Sequence, residues 1–182
     1  MVKIAPDDAA PSDGKPRLSD WIFILFLLLS VVLVMWVGLL AYRDGVKTET
    51  TKRTGEQWLA WLKNAAETRG QPDFQPEACN RADGKNWAQC LAWLTSDQGP
   101  MHGHVNAFTR EPLMLALKCD MVDRGLMGAL VLERLTPTPP GSAVPVVVEP
   151  LLPTDSIKET LNLRVSVCDK GAYPIKIGET DF

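Results

Sequence analysis

Residues 21–42 read WIFILFLLLSVVLVMWVGLLAY, a run without one charged side chain. A helix rises 1.5 Å per residue, so this run would be about 33 Å long, and the hydrocarbon core of a bilayer is about 30 Å thick. Trp21, Trp36 and Tyr42 lie towards the ends of the run, where aromatic side chains favour the membrane interface. The run therefore predicts one transmembrane helix over residues 20–42.

A cleaved signal peptide and a buried core helix are the alternatives for this run. The apolar part of a signal peptide has about 7–15 residues and is followed by a small-residue cleavage site. This run is longer, and its end, residues 39–42 (LLAY), is a poor cleavage site. A core helix rarely needs so long an uncharged stretch. We therefore expect an uncleaved signal anchor.

The cysteines all lie on one side of the predicted anchor: Cys79, Cys90, Cys119 and Cys168. Lysines and arginines flank the anchor on both sides, so the positive-inside rule gives no clear orientation. An even number of cysteines without a CxxC pair is typical of disulfides in an oxidising compartment, and buried free thiols are the alternative. Of the three possible pairings we favour Cys79–Cys90 and Cys119–Cys168, in a domain on the periplasmic side of a bacterial-type inner membrane.

Composition divides the chain into four segments. Residues 1–19 contain several Pro and Asp and are expected to form a disordered cytoplasmic tail. Residues 20–42 are the transmembrane helix. Residues 43–55 are rich in Thr and contain Gly, which predicts a stalk of marginal helix or a linker. Residues 56–182 are predicted to form a periplasmic α+β domain.

Two helices and then a series of strands are predicted in the last segment. Thr54 and Gln57 have the spacing of a capping box, and Asn86 and Gln89 repeat that spacing before a second, shorter helix. Short apolar or alternating runs, separated by turn residues, follow in this order: 113–119, 128–135, 144–149, 161–168 and 173–178. Helices followed by strands predict helices packed on an antiparallel sheet of about four to five strands.

The composition and the missing motifs exclude several function classes. The net charge is -3 and no basic stripe is visible, so nucleic acid is not an expected partner. The chain has no GxSxG elbow, no phosphate-binding glycine loop and no HExxH. We therefore expect no catalytic residue, no cofactor and no metal.

His102 and His104, the only two histidines, are the best candidates for chemistry. Two imidazoles this close could share a metal, but a metal site needs three or four ligands. The neighbouring Gly99, Pro100 and Gly103 predict a flexible, solvated turn. A small periplasmic enzyme that uses this loop is therefore the lowest-ranked function.

The layout resembles that of type IV pilins and pseudopilins. In those proteins an apolar helix continues into an amphipathic one, and an antiparallel sheet with a disulfide follows. Ala41-Tyr42-Arg43-Asp44 looks like the Ala-Tyr-x-Asp found at that place in many pilins, and residues 106–109 (NAFT) are similar to their Asn-Pro-x-x turn. The resemblance implies a subunit of a pilus- or secretion-like assembly. Leu18, Ser19 and Phe23 stand where a pilin has its leader-site Gly and Phe and its helix Glu, so pilin-type processing is not expected.

The membrane helix is also similar to that of the single-pass B-subunits of ion-driven stator complexes. Those subunits place one Asp near the cytoplasmic start of an apolar helix, where it carries the proton. Leu18-Ser19-Asp20-Trp21 and the run that follows look like that arrangement, which implies a proton-carrying Asp20. The residues alone favour a plainer role, a helix N-cap with a favourable dipole interaction worth about 1 kcal/mol.

The expected function is therefore non-enzymatic. We expect a single-pass inner-membrane subunit of a bacterial envelope assembly, which binds other membrane or envelope proteins in a hetero-oligomer through its periplasmic domain. A stator-type subunit that uses Asp20 is the alternative.

We expect the domain after Tyr42 to be exported and oxidised. Maleimide labelling of denatured, unreduced protein should find no free thiol, and four reactive thiols would contradict both the orientation and the disulfides. Removing Cys119–Cys168 should cost more stability than removing Cys79–Cys90, about 4 against about 3 kcal/mol, because it closes the longer loop. Chemical unfolding of the two double Cys→Ser variants measures the difference.

Overall fold

The computed structural model describes residues 18–71, 73–140 and 144–182. Its longest element is helix α1, Leu18–Thr68. Nearly all of the tail predicted over residues 1–19 lies outside the described residues. The chain divides after Tyr42 into two compact units, and the second unit, Arg43–Phe182, contains every element other than the first part of α1.

In the first unit, residues 18–42 are helical throughout. The helix is long and apolar enough to cross a membrane, and none of its most apolar stretch is buried within the chain. Large side chains such as Phe23, Leu29 and Trp36 are more than half exposed. The core helix of a soluble protein would bury such side chains against other elements.

Residues 43–55 are helical and belong to the second unit, so α1 does not begin anew at Thr54. Threonine is a poor helix former because its hydroxyl competes for backbone partners. Here four hydroxyls are satisfied inside the helix, each donating to the carbonyl four residues earlier: Thr48, Thr50, Thr51 and Thr54. The stretch predicted as a stalk of marginal helix or a linker is thus helical, and it belongs to the compact unit Arg43–Phe182.

The sheet has five strands: β1 Leu115–Ala116, β2 Leu130–Pro137, β3 Val146–Pro150, β4 Asn162–Cys168 and β5 Pro174–Asp181. Their order is β1-β2-β4-β5, and β3 also pairs with β2. β1 is parallel to β2, whereas the other three pairings are antiparallel. The expectation of a purely antiparallel sheet is therefore wrong at β1. A parallel neighbour needs a crossover, and the stretch 117–129, with a short 3-10 helix at Arg124–Leu126, supplies it.

Both β1 and β3 lie on the same edge of β2. Leu130 and Val131 pair with β1 and also with β4, while Glu133 and Arg134 pair with β3 and also with β4. A strand residue has one neighbour on each side, so β4 occupies one edge of β2. The other edge is shared, with β1 beside the start of β2 and β3 beside its end.

Helix α1 packs closely on one face of the sheet, which we call the helix face. A Cβ atom placed on Gly55 would lie 2.8 Å from Ile177 Cγ1 and 2.9 Å from Val167 Cγ1. One helical turn later the glycine is on the sheet and the large side chain is on the helix. A Cβ atom placed on Gly178 would lie 2.5 Å from Leu59 Cδ2. The buried core of the domain includes these side chains: Trp58, Leu62, Leu130, Leu132, Leu163, Val165 and Val167.

Helix α2, Trp87–Leu94, completes this core, and its start is the predicted capping box. The Asn86 side chain accepts from Gln89 N at 3.1 Å, and the Gln89 side chain accepts from Asn86 N at 3.3 Å. Cys90 on this helix lies beside Cys79 at the end of a short 3-10 helix, Glu77–Cys79, with a Cα–Cα distance of 4.6 Å. The pair ties the loop after α1 to α2.

The second cysteine pair belongs to the opposite, outer face of the sheet. Cys119 and Cys168 are 5.5 Å apart between their Cα atoms. Cys168 forms a small buried cluster with Ala129 and Val131, against which Cys119 packs. Both cysteine pairs favoured by the sequence analysis are therefore at disulfide distance.

Arg69, directly after α1, is a fully buried cation. Its Nη2 donates to the Glu159 carbonyl at 2.9 Å, and its guanidinium lies 4.0 Å from the centre of the Phe182 ring. Burial lowers the pKa of Arg69 to about 10. The stacked ring and the carbonyl partly replace the water that this cation has lost.

The close approach at Gly55 predicts opposite effects for two Gly→Ala changes in α1. Gly45→Ala should stabilise the helix by up to about 1 kcal/mol, because alanine is the better helix former and nothing lies within 4 Å of a Cβ at this position. Gly55→Ala should destabilise the domain by about 1–3 kcal/mol through overpacking. Thermal unfolding of the full chain in detergent tests this, and equal shifts would contradict the packing.

Candidate functional site

The outward edge of β3 is the most distinctive surface of the domain, because β2 is its only partner among the described residues. Thr138 N donates to the Pro145 carbonyl at 3.1 Å, and Leu151 N donates to the Leu132 carbonyl at 2.9 Å. These bonds flank the ladder in which Thr136 faces Val147.

The backbone groups of an antiparallel strand point alternately to its two sides. The register therefore directs those of Val147 and Glu149 towards β2, and those of Val146, Val148 and Pro150 away from it. Within the part of the chain that the structure describes, the outward groups form a row of N–H donors and C=O acceptors without a strand partner.

Two prolines of this hairpin, Pro137 and Pro150, occupy positions where a missing N–H disturbs no ladder bond. Pro150 is an outward residue of β3, so its lack of a donor leaves the pairing with β2 intact. Pro137 has the same relation to the other edge of β2, because β4 begins only at Asn162 and does not extend alongside it. The outward edge of β3 thus offers donors at Val146 and Val148 and ends at Pro150.

The valine side chains of β3 are partly exposed to solvent, as are its outward backbone groups. Val146, Val147 and Val148 are 36%, 40% and 40% exposed. Val148 and Val146 lie opposite Leu135 and Pro137 of β2, so these four form an apolar patch on the outer face. Val147 points to the helix face. Exposed apolar strands with an open edge are typical sites of strand pairing with another chain.

The one charged side chain of β3 is neutralised within the chain. Glu149 Oε2 accepts from Arg134 Nη2 at 2.8 Å, and Arg134 Nη1 is 3.6 Å from Asp155 Oδ1. The hydrogen bond with Glu149 and the charge of Asp155 raise the pKa of Arg134. The edge therefore presents no unpaired charge to a partner.

The end of the β2–β3 hairpin extends past β4 and leaves a groove on each face. The groove volumes are about 420 Å³ and about 580 Å³. Both are lined by Leu135, Pro137 and Asn162. The lining is mixed in character: Glu179 and Asp181 line the first groove, and Lys158 and Glu159 line the second.

A strand at 144–149 was predicted, and Pro145 suited an edge strand or an irregular one, but a binding surface was not predicted there. The further signal is the run Val146-Val147-Val148 bracketed by a second proline, Pro150. A central strand does not tolerate proline in this way, whereas an edge strand does.

Asp20 lies in the first turn of α1, two residues after the first residue of the helix. The hydroxyl of Ser19 donates to Asp20 Oδ1 at 3.4 Å. Asp20 is therefore inside the helix and is not its N-cap, although a carboxylate in the first turn still interacts favourably with the helix dipole.

The two histidines occupy different environments. His102 is exposed, with its Nδ1 3.4 Å from Asp97 Oδ1. His104 is partly buried beside a cavity of about 270 Å³ that Trp58 also lines. His104 Nδ1 and Trp58 Nε1 are buried and have no hydrogen-bond partner among the described residues. Burial lowers the pKa of His104. The expected solvated turn is therefore a poor description of His104.

Within residues 18–71, 73–140 and 144–182, no three His, Cys, Asp or Glu side chains are grouped so that they could hold a metal ion. Comparison of the chain with protein-family models, with curated proteins and with solved structures found no match. Function must therefore be inferred from the geometry of the site.

The environment of His104 predicts a pH dependence of stability. Its folded pKa lies below the usual 6.5, so the unfolded chain binds the proton more readily. The contribution of neutral His104 to the free energy of unfolding is fully present above about pH 6.5. It is lost as the pH falls from there towards the folded pKa.

The free energy of unfolding should fall between pH 7.5 and pH 5.5. Urea unfolding of the full chain in detergent should show that this fall is smaller for His104→Gln than for wild type. His102→Gln is the matched control, since its ring is exposed, and it should behave like wild type. An unchanged decrease in His104→Gln would show that another group causes it.

Proposed function

We propose that this chain is a single-pass inner-membrane subunit of a bacterial envelope assembly, pilus- or secretion-like. It acts by binding other membrane or envelope proteins in a hetero-oligomer, and it is not an enzyme. The observation that carries the proposal is the open apolar edge of β3, in a domain that directly follows an apolar helix of membrane-spanning length.

The anchor is supported by the composition and exposure of residues 21–42. The run has no charged side chain, and its large apolar side chains are exposed in the isolated chain. In water this surface would associate with other apolar surfaces, whereas in a bilayer it is solvated by lipid tails. A membrane is therefore the environment that best suits this segment.

The periplasmic location of the domain is supported by the cysteines. All four follow the anchor and lie in two pairs at disulfide distance, Cys79–Cys90 and Cys119–Cys168. Disulfides persist in the periplasm and are rare in the cytosol. An oxidised domain therefore belongs on the far side of the inner membrane.

A binding role is supported by the unpaired edge of β3. Natural proteins usually cover an edge strand or place charges on it, because an open edge pairs with other chains. Here the strand carries three exposed valines, and its one carboxylate is held by Arg134. Recognition through backbone hydrogen bonds, with apolar side chains beside them, suits such an edge.

A stator-type subunit remains the second candidate because of one observation. Asp20 stands in the first turn of the apolar helix, immediately before Trp21 and the uncharged run. An ionisable group that faces a channel carries ions or protons, whereas one at the headgroup level needs no such role.

Affinity purification of the full chain from membranes in mild detergent, followed by mass spectrometry, distinguishes the two candidates. Partners from a pilus- or secretion-like assembly would support the proposal. A stoichiometric polytopic channel subunit would favour the stator.

We expect Asp20→Asn to be nearly silent. Asparagine keeps the shape of the side chain, and the dipole interaction that the charge loses is worth about 0.3–1 kcal/mol. The measurement is complementation of a deletion strain at matched expression, with Asp20→Glu as the control that keeps a titratable group. Complete loss with Asn, rescue by Glu and normal membrane insertion of both would instead establish a proton carrier.

A further inference from the structure

We propose that two exposed turns of the domain, residues 119–124 and 169–173, contact the lipid bilayer beside the anchor. The partner is a lipid surface, at the boundary between headgroups and acyl chains. The side chains that enter this boundary are Met121, Val122 and Tyr173. The inference rests on the proposed function in one respect, that the anchor spans the membrane.

Contacts within the domain identify which end of the sheet lies nearest the membrane. Tyr42 ends the uncharged run, and Asp44, about 3 Å farther along the helix, forms an ion pair with Lys170, two residues after β4. At the other end of α1, Arg69 donates to the carbonyl of Glu159, three residues before β4. Helix α1 therefore runs from the end of β4 towards its start. The end of β4 is the membrane-proximal end of the sheet.

The first turn, residues 119–124, is fixed at this membrane-proximal end. Cys119 is at disulfide distance from Cys168, the last residue of β4, with 5.5 Å between the Cα atoms. The chain returns to the same residue after the turn, because Gly128 N donates to the Cys168 carbonyl at 2.9 Å. Residues 120–127 therefore form a loop that leaves and rejoins the sheet at the end of β4.

A second set of contacts connects this loop with the start of the domain. A Cβ atom placed on Gly128 would lie 2.9 Å from Phe108 Cδ2, and the centre of the Phe108 ring is 5.8 Å from Lys47 Nζ. Lys47 is five residues after Tyr42, about 8 Å farther along the helix. The contacts through Lys170 and through Phe108 independently place the loop near the residues that follow the anchor.

The tip of the first turn carries two apolar side chains that have little to pack against within the domain. Val122 is 91% exposed and Met121 is 59% exposed. Asp120 fixes the turn, since its carbonyl accepts from Asp123 N and its Oδ1 accepts from Val122 N, both at 3.0 Å. Gly, Pro, Asn, Asp and Ser are the usual residues of such turns. Exposed apolar side chains that lie together mark interaction surfaces, membrane surfaces included.

The second turn adds an aromatic side chain at the same end of the sheet. Tyr173 is 55% exposed. Asp169 Oδ1 fixes this turn by accepting from Gly171 N at 2.7 Å and from Tyr173 N at 2.8 Å. Tyrosine favours the membrane interface, where its ring meets acyl chains and its hydroxyl stays in water. Both turns therefore present side chains that suit the same boundary.

The charges around the first turn predict a contact that needs no particular lipid headgroup. Lys118 and Arg124 supply two positive charges, and Asp120 and Asp123 supply two negative ones, so the formal net charge is zero. Lys118 Nζ is 3.5 Å from Asp120 Oδ2. Attraction to anionic lipids needs a cluster of cations. The apolar side chains therefore supply the contact, and zwitterionic lipid is sufficient.

A bilayer suits this surface better than a protein partner does. A stable protein interface takes about 20–30 residues on each side, and the two tips offer three large side chains. The anchor keeps the bilayer next to the start of the domain at all times, so a contact within the same assembly gains from a high effective concentration. A small contact therefore has an effect at a membrane that it would not have between free proteins.

Quenching by spin-labelled lipid tests the contact in the full chain. A fluorescent amino acid is introduced by stop-codon suppression at Val122, Val144 or Val37, and each protein is reconstituted in phosphatidylcholine vesicles with the nitroxide near the headgroup end of the acyl chain. Val144 is the matched control, a valine that is 57% exposed and lies beside Thr138 at the opposite end of the sheet. Val37, within the anchor, is the positive control. We expect quenching at Val122 and Val37, and none at Val144.

The three positions distinguish failure of this inference from failure of the proposed function. Quenching at Val37 with none at Val122 would leave the anchor in place and overturn the lipid contact. Absence of quenching at Val37 would contradict the anchor, and the lipid contact with it. An emission shift at Val122 without quenching, growing with the ratio of protein to lipid, would assign the tip to a second copy of the chain and also overturn the proposal.

A double variant tests whether the two turns act together. With the fluorescent amino acid at Tyr173, Met121→Ser combined with Val122→Ser should reduce the lipid quenching, because the apolar tip no longer holds this end of the domain at the boundary. Val144→Ser is the control and should leave the quenching unchanged. Both should keep the thermal unfolding of the parent chain, since the replaced side chains are exposed. Unchanged quenching in the double variant would overturn the role of Met121 and Val122.

Discussion

The contact between α1 and the sheet at Gly55 is the constraint on which the rest of the domain depends. The absence of a side chain lets the helix approach Ile177 and Val167, and Gly178 gives the space that Leu59 occupies one turn later. These two small residues bring Trp58 and Leu62 into the core. A methyl group at either position would push the helix outward and loosen the contacts made by those large side chains.

The same contact explains why a threonine-rich stretch is helical. Thr51 and Gly55 are both buried, and an ion pair between Asp44 and Lys170 lies near the start of this part of the helix. Lys47 adds a contact with the Phe108 ring, 5.8 Å from its centre. Packing and these polar contacts together outweigh the weak helix propensity of threonine and glycine.

Local signals in the sequence predicted the local structure well. The capping box of Asn86 and Gln89 begins α2. In the turn between β4 and β5, Asp169 Oδ1 accepts from Gly171 N at 2.7 Å, which is turn chemistry typical of Asp. Leu163, Val165 and Val167 alternate with Asn162, Arg164 and Ser166 in the run 161–168, and the three apolar residues are buried. In each case, residues close in the chain determine the geometry.

Long-range features could not be predicted in this way. The Thr54 capping box is the same pattern as the one at Asn86, yet α1 continues through it because the sheet supports the residues before it. The parallel pairing of β1 depends on a crossover that no periodicity reveals. The open edge of β3 depends on which strands pair with β2, and the partly buried position of His104 depends on a cavity that it shares with Trp58, far away in sequence.

The spacing of the two cysteine pairs has a consequence for an exported chain, which crosses the membrane with the N-terminal part of the domain first. Cys79 and Cys90 are 11 residues apart and emerge almost together, whereas 49 residues separate Cys119 from Cys168. When Cys119 arrives, its partner is still on the other side of the membrane, and only β5 and the turn before it follow Cys168. Rapid closure of the first pair would remove the only two wrong partners that Cys119 could meet during that interval. In the exported chain that we propose, the short first loop would thus protect the long second one during translocation.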